Sequence, residues 1–432
     1  MASPTPPPRG SCLIENARLL TLAPTQGERG PRRGARLNDL GIIERGWIAT
    51  AGSRIGGIGS GDAPDAWRLF AGERRVNAQG RVVLPAFVDC HTHACWTGDR
   101  YDEAAMKLAG REYLDILASG GGIMSTVRSV RASAVDDLAA QLTAHLGLMR
   151  ASGTGAIEVK SGYGLSVDAE MRMLEAITQV AASAGEWMPP IVPTFLGAHA
   201  IPSDDPAWVD ACIEMLPRVV ERFGRLQCDA YCERGAWDPQ QCAQLFTRAR
   251  ALSMPCSVHV DQFHALGFLS QAIALGVRSV AHLEASTANE LELAAQSDAV
   301  GIFLPGSGLH LDLRFANARR FIAQGGAPAI ATNCNPGSSP LYSMPLVIAL
   351  ATRFLQLTYG ESICAATWNA AAALGLETEC GALVEGYRGD LLLLPIKDER
   401  ALAHEYESGA PELVMLGGRE ISPSPVLPQD AA

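Results

Sequence analysis

Two histidines one residue apart, His91 and His93 in "FVDCHTH", follow a short apolar run. In a strand, residues i and i+2 face the same side, so both imidazoles can reach one cation. His199 in "FLGAHA", His259 in "SVHVDQ" and His282 in "VAHLE" each close a further apolar run. A lone histidine in such a place is more often a hydrogen-bonded packing residue. Five of the nine histidines at strand ends point instead to a metal centre. Three imidazoles, an oxygen donor and an open position suit Zn²⁺ or iron. Such an ion lowers the pKa of bound water and supplies hydroxide at neutral pH, which fits hydrolysis of a C–N bond.

These residues need strands that end together. Apolar runs alternate with amphipathic stretches such as "DDLAAQLTAHLGLMRASG" and "DAEMRMLEAITQVAASAG", both closed by Gly as helix C-termini prefer. Eight strand candidates run through "RVVLPAFVDCHTH", "TGAIEVKSGYG", "IVPTFLGAHA", "QCDAYCE", "PCSVHV", "VRSVAHLE", "DAVGIFLPG" and "PAIATNC". Eight strand-then-helix units predict an α/β fold, a closed (β/α)₈ TIM-like barrel over residues 85–376. In such barrels the active site lies at the C-terminal ends of the strands, where the histidines fall. Gly-rich strand pieces such as "GWIATAGSRIGGIG" in residues 11–84 and "GALVEGYRGDLLLLPI" in residues 377–432 predict a small β-sandwich built from both chain ends.

Composition removes several function classes. With 432 residues, 48% hydrophobic and 19% charged, the chain can bury a large core. The net charge of -11 is dispersed and no basic-aromatic stripe occurs, so nucleic acid is not an expected partner. No apolar run reaches the ~18 residues of a membrane span. Residues 1–10 lack an apolar signal core and are expected to be a disordered leader, with the protein in the cytoplasm. The eleven cysteines show no Cys-x-x-Cys spacing, which favours reduced, buried thiols over zinc-thiolate or disulfide frameworks.

Seven segments, "DCHTHACWTGDR", "LAGREYLDILASGGGIMSTV", "EVKSGYGL", "PTFLGAHAIP", "HVDQFHALG", "AHLEAS" and "NCNPGSSP", occur in this order. In sequence and order they resemble the imidazolonepropionases of the amidohydrolase superfamily, from about Leu84 to Leu376. The resemblance implies metal-dependent opening of the cyclic amide of 4-imidazolone-5-propanoate to N-formimino-L-glutamate, in histidine degradation. It further implies one Zn²⁺ or Fe²⁺/Fe³⁺ per subunit, held by His91, His93 and His259, and a homodimer. Arg100, Tyr163, His199, Asn335, Gly337 and Ser338 would contact the substrate, with Gln262 orienting the scissile amide. Arg100 has a rationale of its own, because a guanidinium fork matches a carboxylate. Lys160 resembles a lysine that some amidohydrolases carbamylate between two metals; the likeness here is to the single-metal kind, so a structural role is expected.

Position 333 departs from the pattern. The resemblance implies an Asp there, a metal ligand and manager of the water's proton; this chain has Asn333. An amide oxygen can touch a metal but cannot take a proton. Loss of such a base without replacement costs typically 10²–10⁴-fold in rate, about 3–5 kcal/mol. His282 is the first candidate to take over the proton, with Asp261 and Asp312 as further candidates near the mouth; His310, in the remodelled "LPGSGLHLDLR" segment, is expected to be a surface residue, the alternative being a new ligand. Ala281 replaces the Asp that the resemblance implies before "HLE". Three functions remain open: a working hydrolase of the imidazolone, a hydrolase or deaminase of another heterocycle, and a non-catalytic binder of a small carboxylated ligand.

Overall fold

The computed structural model describes residues 12–25, 27–72, 74–111, 121–183, 190–406 and 408–421. The expected leader over residues 1–10 lies outside them, as does part of "LAGREYLDILASGGGIMSTV".

Five strands open the chain: β1 (Leu13–Leu20), β2 (Ile42–Ala51), β3 (Arg54–Ser60), β4 (Arg75–Asn77) and β5 (Val82–Pro85). Three close it: β14 (Leu391–Leu393), β15 (Leu413–Leu416) and β16 (Arg419–Ile421). Together they form one sheet in the order β16-β15-β14-β5-β1-β2-β3, with β4 beside β1. The expected β-domain from both chain ends thus takes the form of a single eight-stranded hydrogen-bonded sheet. Period-two alternation in β5 docks it: Val83 packs with Ile14, Leu19 and Leu391 of the sheet, whereas Val82 and Leu84 face the core shared with the barrel.

The second sheet contains the eight strands read from the sequence: β6 (Phe87–Asp89), β7 (Thr154–Lys160), β8 (Ile191–Ala198), β9 (Gln227–Cys232), β10 (Cys256–Val260), β11 (Ser279–His282), β12 (Val300–Phe303) and β13 (Ala327–Ile330). All neighbours are parallel and in sequence order. Every residue of β7 and β10 is buried, as expected of strands covered on both faces. Helices such as Val135–Ala151, Val167–Ser183 and Pro239–Ala251 supply the outer layer. The last begins in a capping box, with Asp238 accepting from the Gln241 N–H at 2.8 Å and Gln241 accepting from the Asp238 N–H at 2.9 Å.

The barrel closes beyond the ends of its first and last strands. The N–H of Asn333 donates to the His91 carbonyl at 3.1 Å, and the N–H of His93 donates to the Cys334 carbonyl at 2.9 Å. Below them the Thr332 hydroxyl donates to Asp89 at 2.5 Å. Closure therefore fixes the His-x-His segment and position 333 in one mutual register. Among the described residues no helix is long and apolar enough to cross a membrane. All cysteines are free, and all but Cys12 are buried.

Candidate active site

His91 and His93 leave the end of β6 and His259 lies within β10, each at most 3% exposed. The Nε2 of His259 stands 2.9 Å from the Nε2 of His91 and 3.1 Å from that of His93. One nitrogen from each of the three lies within 4.8 Å of the others. Burial, with Lys160 and the neighbouring imidazoles adding to it, holds His91 and His93 well below the usual imidazole range. Burial likewise lowers His259 to about 4, against the opposing pull of Asp229. The three rings are thus neutral at physiological pH, the state a metal requires of its ligands.

Asn333 completes the rim. Its Nδ2 donates to the Ser307 hydroxyl at 2.7 Å, while its Oδ1 is buried with no hydrogen-bond partner. An orphaned buried carbonyl oxygen beside three convergent imidazoles matches the donor set of a divalent cation. Asn333, Asp261 and His282 have φ of 52°, 56° and 80°. Non-glycine residues at three strand ends thus occupy the left-handed region, the kind of strain that collects at functional sites.

His282 ends β11, with its ring centroid 5.7 Å from that of His259 and 6.3 Å from that of His91. Its Nδ1 faces Glu284 at 3.3 Å, so Nε2 is the ring nitrogen free of that contact. His199 stacks on His93 at 4.8 Å and its Nδ1 lies 3.0 Å from the Gly162 carbonyl. Burial, with the His259 ring adding to it, lowers His199 to about 3. The buried Tyr163 ring lies 5.2 Å from His199 and 6.1 Å from His93. Gln262 accepts from the Tyr231 hydroxyl at 2.8 Å, and the Tyr231 ring is 5.9 Å from His259.

Arg100 is held at the foot of the helix Tyr101–Leu108, where Nε donates to Glu103 at 2.7 Å and Nη2 lies 2.5 Å from the same carboxylate. Its remaining nitrogen, Nη1, lies over Gly337: a Cβ there would stand 2.9 Å from it. Gly337 is what permits the approach. Asn335 shapes this loop, its Oδ1 accepting from the N–H groups of Gly337 at 2.9 Å and Ser338 at 2.7 Å. Its Nδ2 donates to the Asn333 carbonyl at 2.6 Å and to the Ser338 hydroxyl at 2.9 Å. Asn335 thereby ties the Arg100 loop to position 333.

The remaining candidates have other partners or lie at the surface. Asp312 is exposed and paired with Arg314 at 2.5 Å, and His310 is exposed on the helix Pro305–His310. Asp261 accepts from the Ser286 hydroxyl at 2.7 Å, and burial raises it to about 6. Lys160 is 1% exposed and lies 2.5 Å from Glu158 and 2.9 Å from Asp229. Burial opposes its charge, but the two carboxylates keep it protonated. Asp229 also meets the Nδ1 of His259 at 3.2 Å. Burial pushes the Asp229 carboxyl up, yet Lys160 and His259 outweigh it and hold that group well below its usual range. Sequence reading missed Glu103, Glu158, Asp229, Tyr231, Glu284 and Ser307; only Asp229, a lone carboxylate inside the strand candidate "QCDAYCE", carried a signal.

The barrel, with three converging histidines at the ends of its strands, defines a hydrolase of the amidohydrolase class, and residues 82–421 match the model of the amidohydrolase family. Among similar proteins is the imidazolonepropionase of Herpetosiphon aurantiacus, 39% identical over 428 residues that cover 96% of this chain and 98% of the relative. The imidazolonepropionase of Deinococcus radiodurans is 40% identical over 395 residues, covering 91% and 96%. The chain belongs to the imidazolonepropionase family. Among solved structures, 5-methylcytosine deaminase from Klebsiella pneumoniae superposes with a TM-score of 0.70 at 17% identity, covering 95% of this chain and 98% of that one. Escherichia coli guanine deaminase gives 0.69 at 14%, covering 95% and 99%. At such identities these two speak for the fold alone.

Proposed function

We propose that this chain hydrolyses the ring amide C–N bond of 4-imidazolone-5-propanoate to N-formimino-L-glutamate, a step of histidine degradation. The observation that carries the reading is the pairing of two features on one rim. Three neutral imidazoles converge beside Asn333, and a guanidinium lies over the loop that Asn335 ties to that same residue. One end suits a metal and the other the substrate's propionate.

His91, His93 and His259 would hold one Zn²⁺ or Fe²⁺/Fe³⁺ per subunit, with the Asn333 Oδ1 as a neutral fourth donor. When bound, the ion supplies activation of water for attack at neutral pH. His282, steadied by Glu284, takes the proton of the attacking water at Nε2 and passes it to the leaving ring nitrogen. Arg100 binds the propionate, with Gly337 and Ser338 forming the wall of that pocket. Tyr163 and His199 flank the ring, and Gln262, braced by Tyr231, orients the scissile amide. A cytoplasmic homodimer is part of the same reading, supported by family membership.

Product analysis tests it. Incubation of metal-replete protein with 4-imidazolone-5-propanoate is expected to yield N-formimino-L-glutamate, with no ammonia released from cytosine or guanine. Ammonia release without ring opening would make the chain a deaminase. Binding without turnover would make it a ligand-binding relative.

A further inference from the structure

Behind the histidines lies a chain of buried charges. Asp229 of β9, 0% exposed, meets the Nδ1 of His259 through one oxygen at 3.2 Å, and its other oxygen lies 2.9 Å from the Lys160 Nζ. Lys160 of β7 reaches Glu158 at 2.5 Å. Glu158 in turn accepts the N–H of Thr92, the residue between His91 and His93, at 3.0 Å. The same segment is pinned twice more, by the Thr92 hydroxyl on the Glu158 carbonyl at 2.6 Å and by the Lys160 N–H on the Thr92 carbonyl at 3.2 Å. One run of contacts therefore joins both elements that carry the three imidazoles.

Among the described residues, Asp229 is the one carboxylate within hydrogen-bond reach of His91, His93 or His259. Asn333 brings no charge to the rim. A carboxylate on Nδ1 keeps the proton there, leaves the Nε2 lone pair free and makes the ring a stronger donor. We infer that Asp229 is the anionic positioning residue of this centre: through His259 it supplies the negative charge that Asn333 lacks, while Lys160 and Glu158 set the distance between His259 and the His91–His93 segment. This deepens the proposed function and rests on its reading of the three histidines as metal ligands.

Zn²⁺ affinity, measured by competition with a chelating indicator in the full-length parent, Asp229→Asn, Asn333→Asp and the double variant, tests it. Asp229→Asn is expected to weaken binding by roughly 10–100-fold in the parent. With Asp at position 333 the same change is expected to cost about threefold or less, because a carboxylate is already present. Equal losses in both backgrounds, or no loss in the parent, overturn the inference. A second readout needs only the metal-free parent: ¹⁵N shifts of the His259 imidazole are expected to show the proton on Nδ1, and a proton on Nε2 overturns the inference even where the variants fail to fold. A parent that binds no Zn²⁺ at all instead sinks the metal-site reading, and the nitrogen shifts still judge Asp229 separately.

Discussion

Asn333 donates its backbone N–H to the carbonyl of His91 at 3.1 Å, so position 333 is hydrogen-bonded directly to the segment that carries His91 and His93. Its side chain is equally constrained, with Nδ2 on Ser307 and Oδ1 left over. A residue so fixed can serve as a donor by placement alone. It cannot move a proton.

In the proposed mechanism that duty falls to His282. Replacing His282 by Ala is expected to lower kcat by roughly 10²–10⁴-fold, with a smaller loss for Glu284→Gln, which removes the charge facing Nδ1. Steady-state kinetics check this; an unchanged kcat in His282→Ala would assign the proton elsewhere.

In the proposed reading, substrate affinity depends on a glycine. In Gly337→Ala the new Cβ, 2.9 Å from the Arg100 Nη1, must push the guanidinium or the loop aside. KM is expected to rise by about tenfold, the value of one charge-assisted contact, with kcat nearly kept. A fall in kcat at constant KM would place Arg100 away from the propionate.

Acid should loosen the same clamp. Burial pushes the Glu103 carboxyl up, but the Gly122 N–H and Arg100 outweigh it and hold the group below its usual range. A carboxyl lowered on folding binds fewer protons in the native state, so its contribution is present above the unfolded value and is lost as pH falls through the folded one. Stability curves from pH 6 downward are expected to fall less steeply for Glu103→Gln than for the parent. Parallel curves would contradict this.

Much of this architecture was legible because it is local. Eight apolar runs bounded by turn and helix signals gave the barrel, and His91, His93, His259 and His282 fell at strand ends where barrel chemistry collects. The network of Glu158, Lys160 and Asp229 was not legible, since its Lys160–Asp229 pair joins residues 69 positions apart on separate strands. Nor did turn composition show that Asn335 spends its amide on the loop, or that Asp312 is already paired with Arg314. Periodicity reports which face a side chain occupies, not which distant partner meets it.

The joint between the chain's start and the barrel gives a stability test. Asn369, fully buried, accepts from the Arg32 N–H at 2.7 Å and donates to the carbonyls of Arg32 at 3.0 Å and Pro328 at 2.8 Å. Asn369→Ala strands these groups, each at about 1–3 kcal/mol. Denaturant unfolding is expected to show a loss of at least about 2 kcal/mol; a change under about 0.5 kcal/mol would mean that the joint relaxes.

The most direct measurement is the rate of 4-imidazolone-5-propanoate hydrolysis by the parent, with metal, after chelation and after metal is restored, run beside Asn333→Asp. The expected result is turnover by the parent that disappears on chelation and returns with metal, and a kcat for Asn333→Asp within about tenfold of it, because His282 already handles the proton. A silent parent beside an Asn333→Asp variant faster by roughly 10²-fold or more would contradict this, and would make position 333 the site of a lost catalytic base.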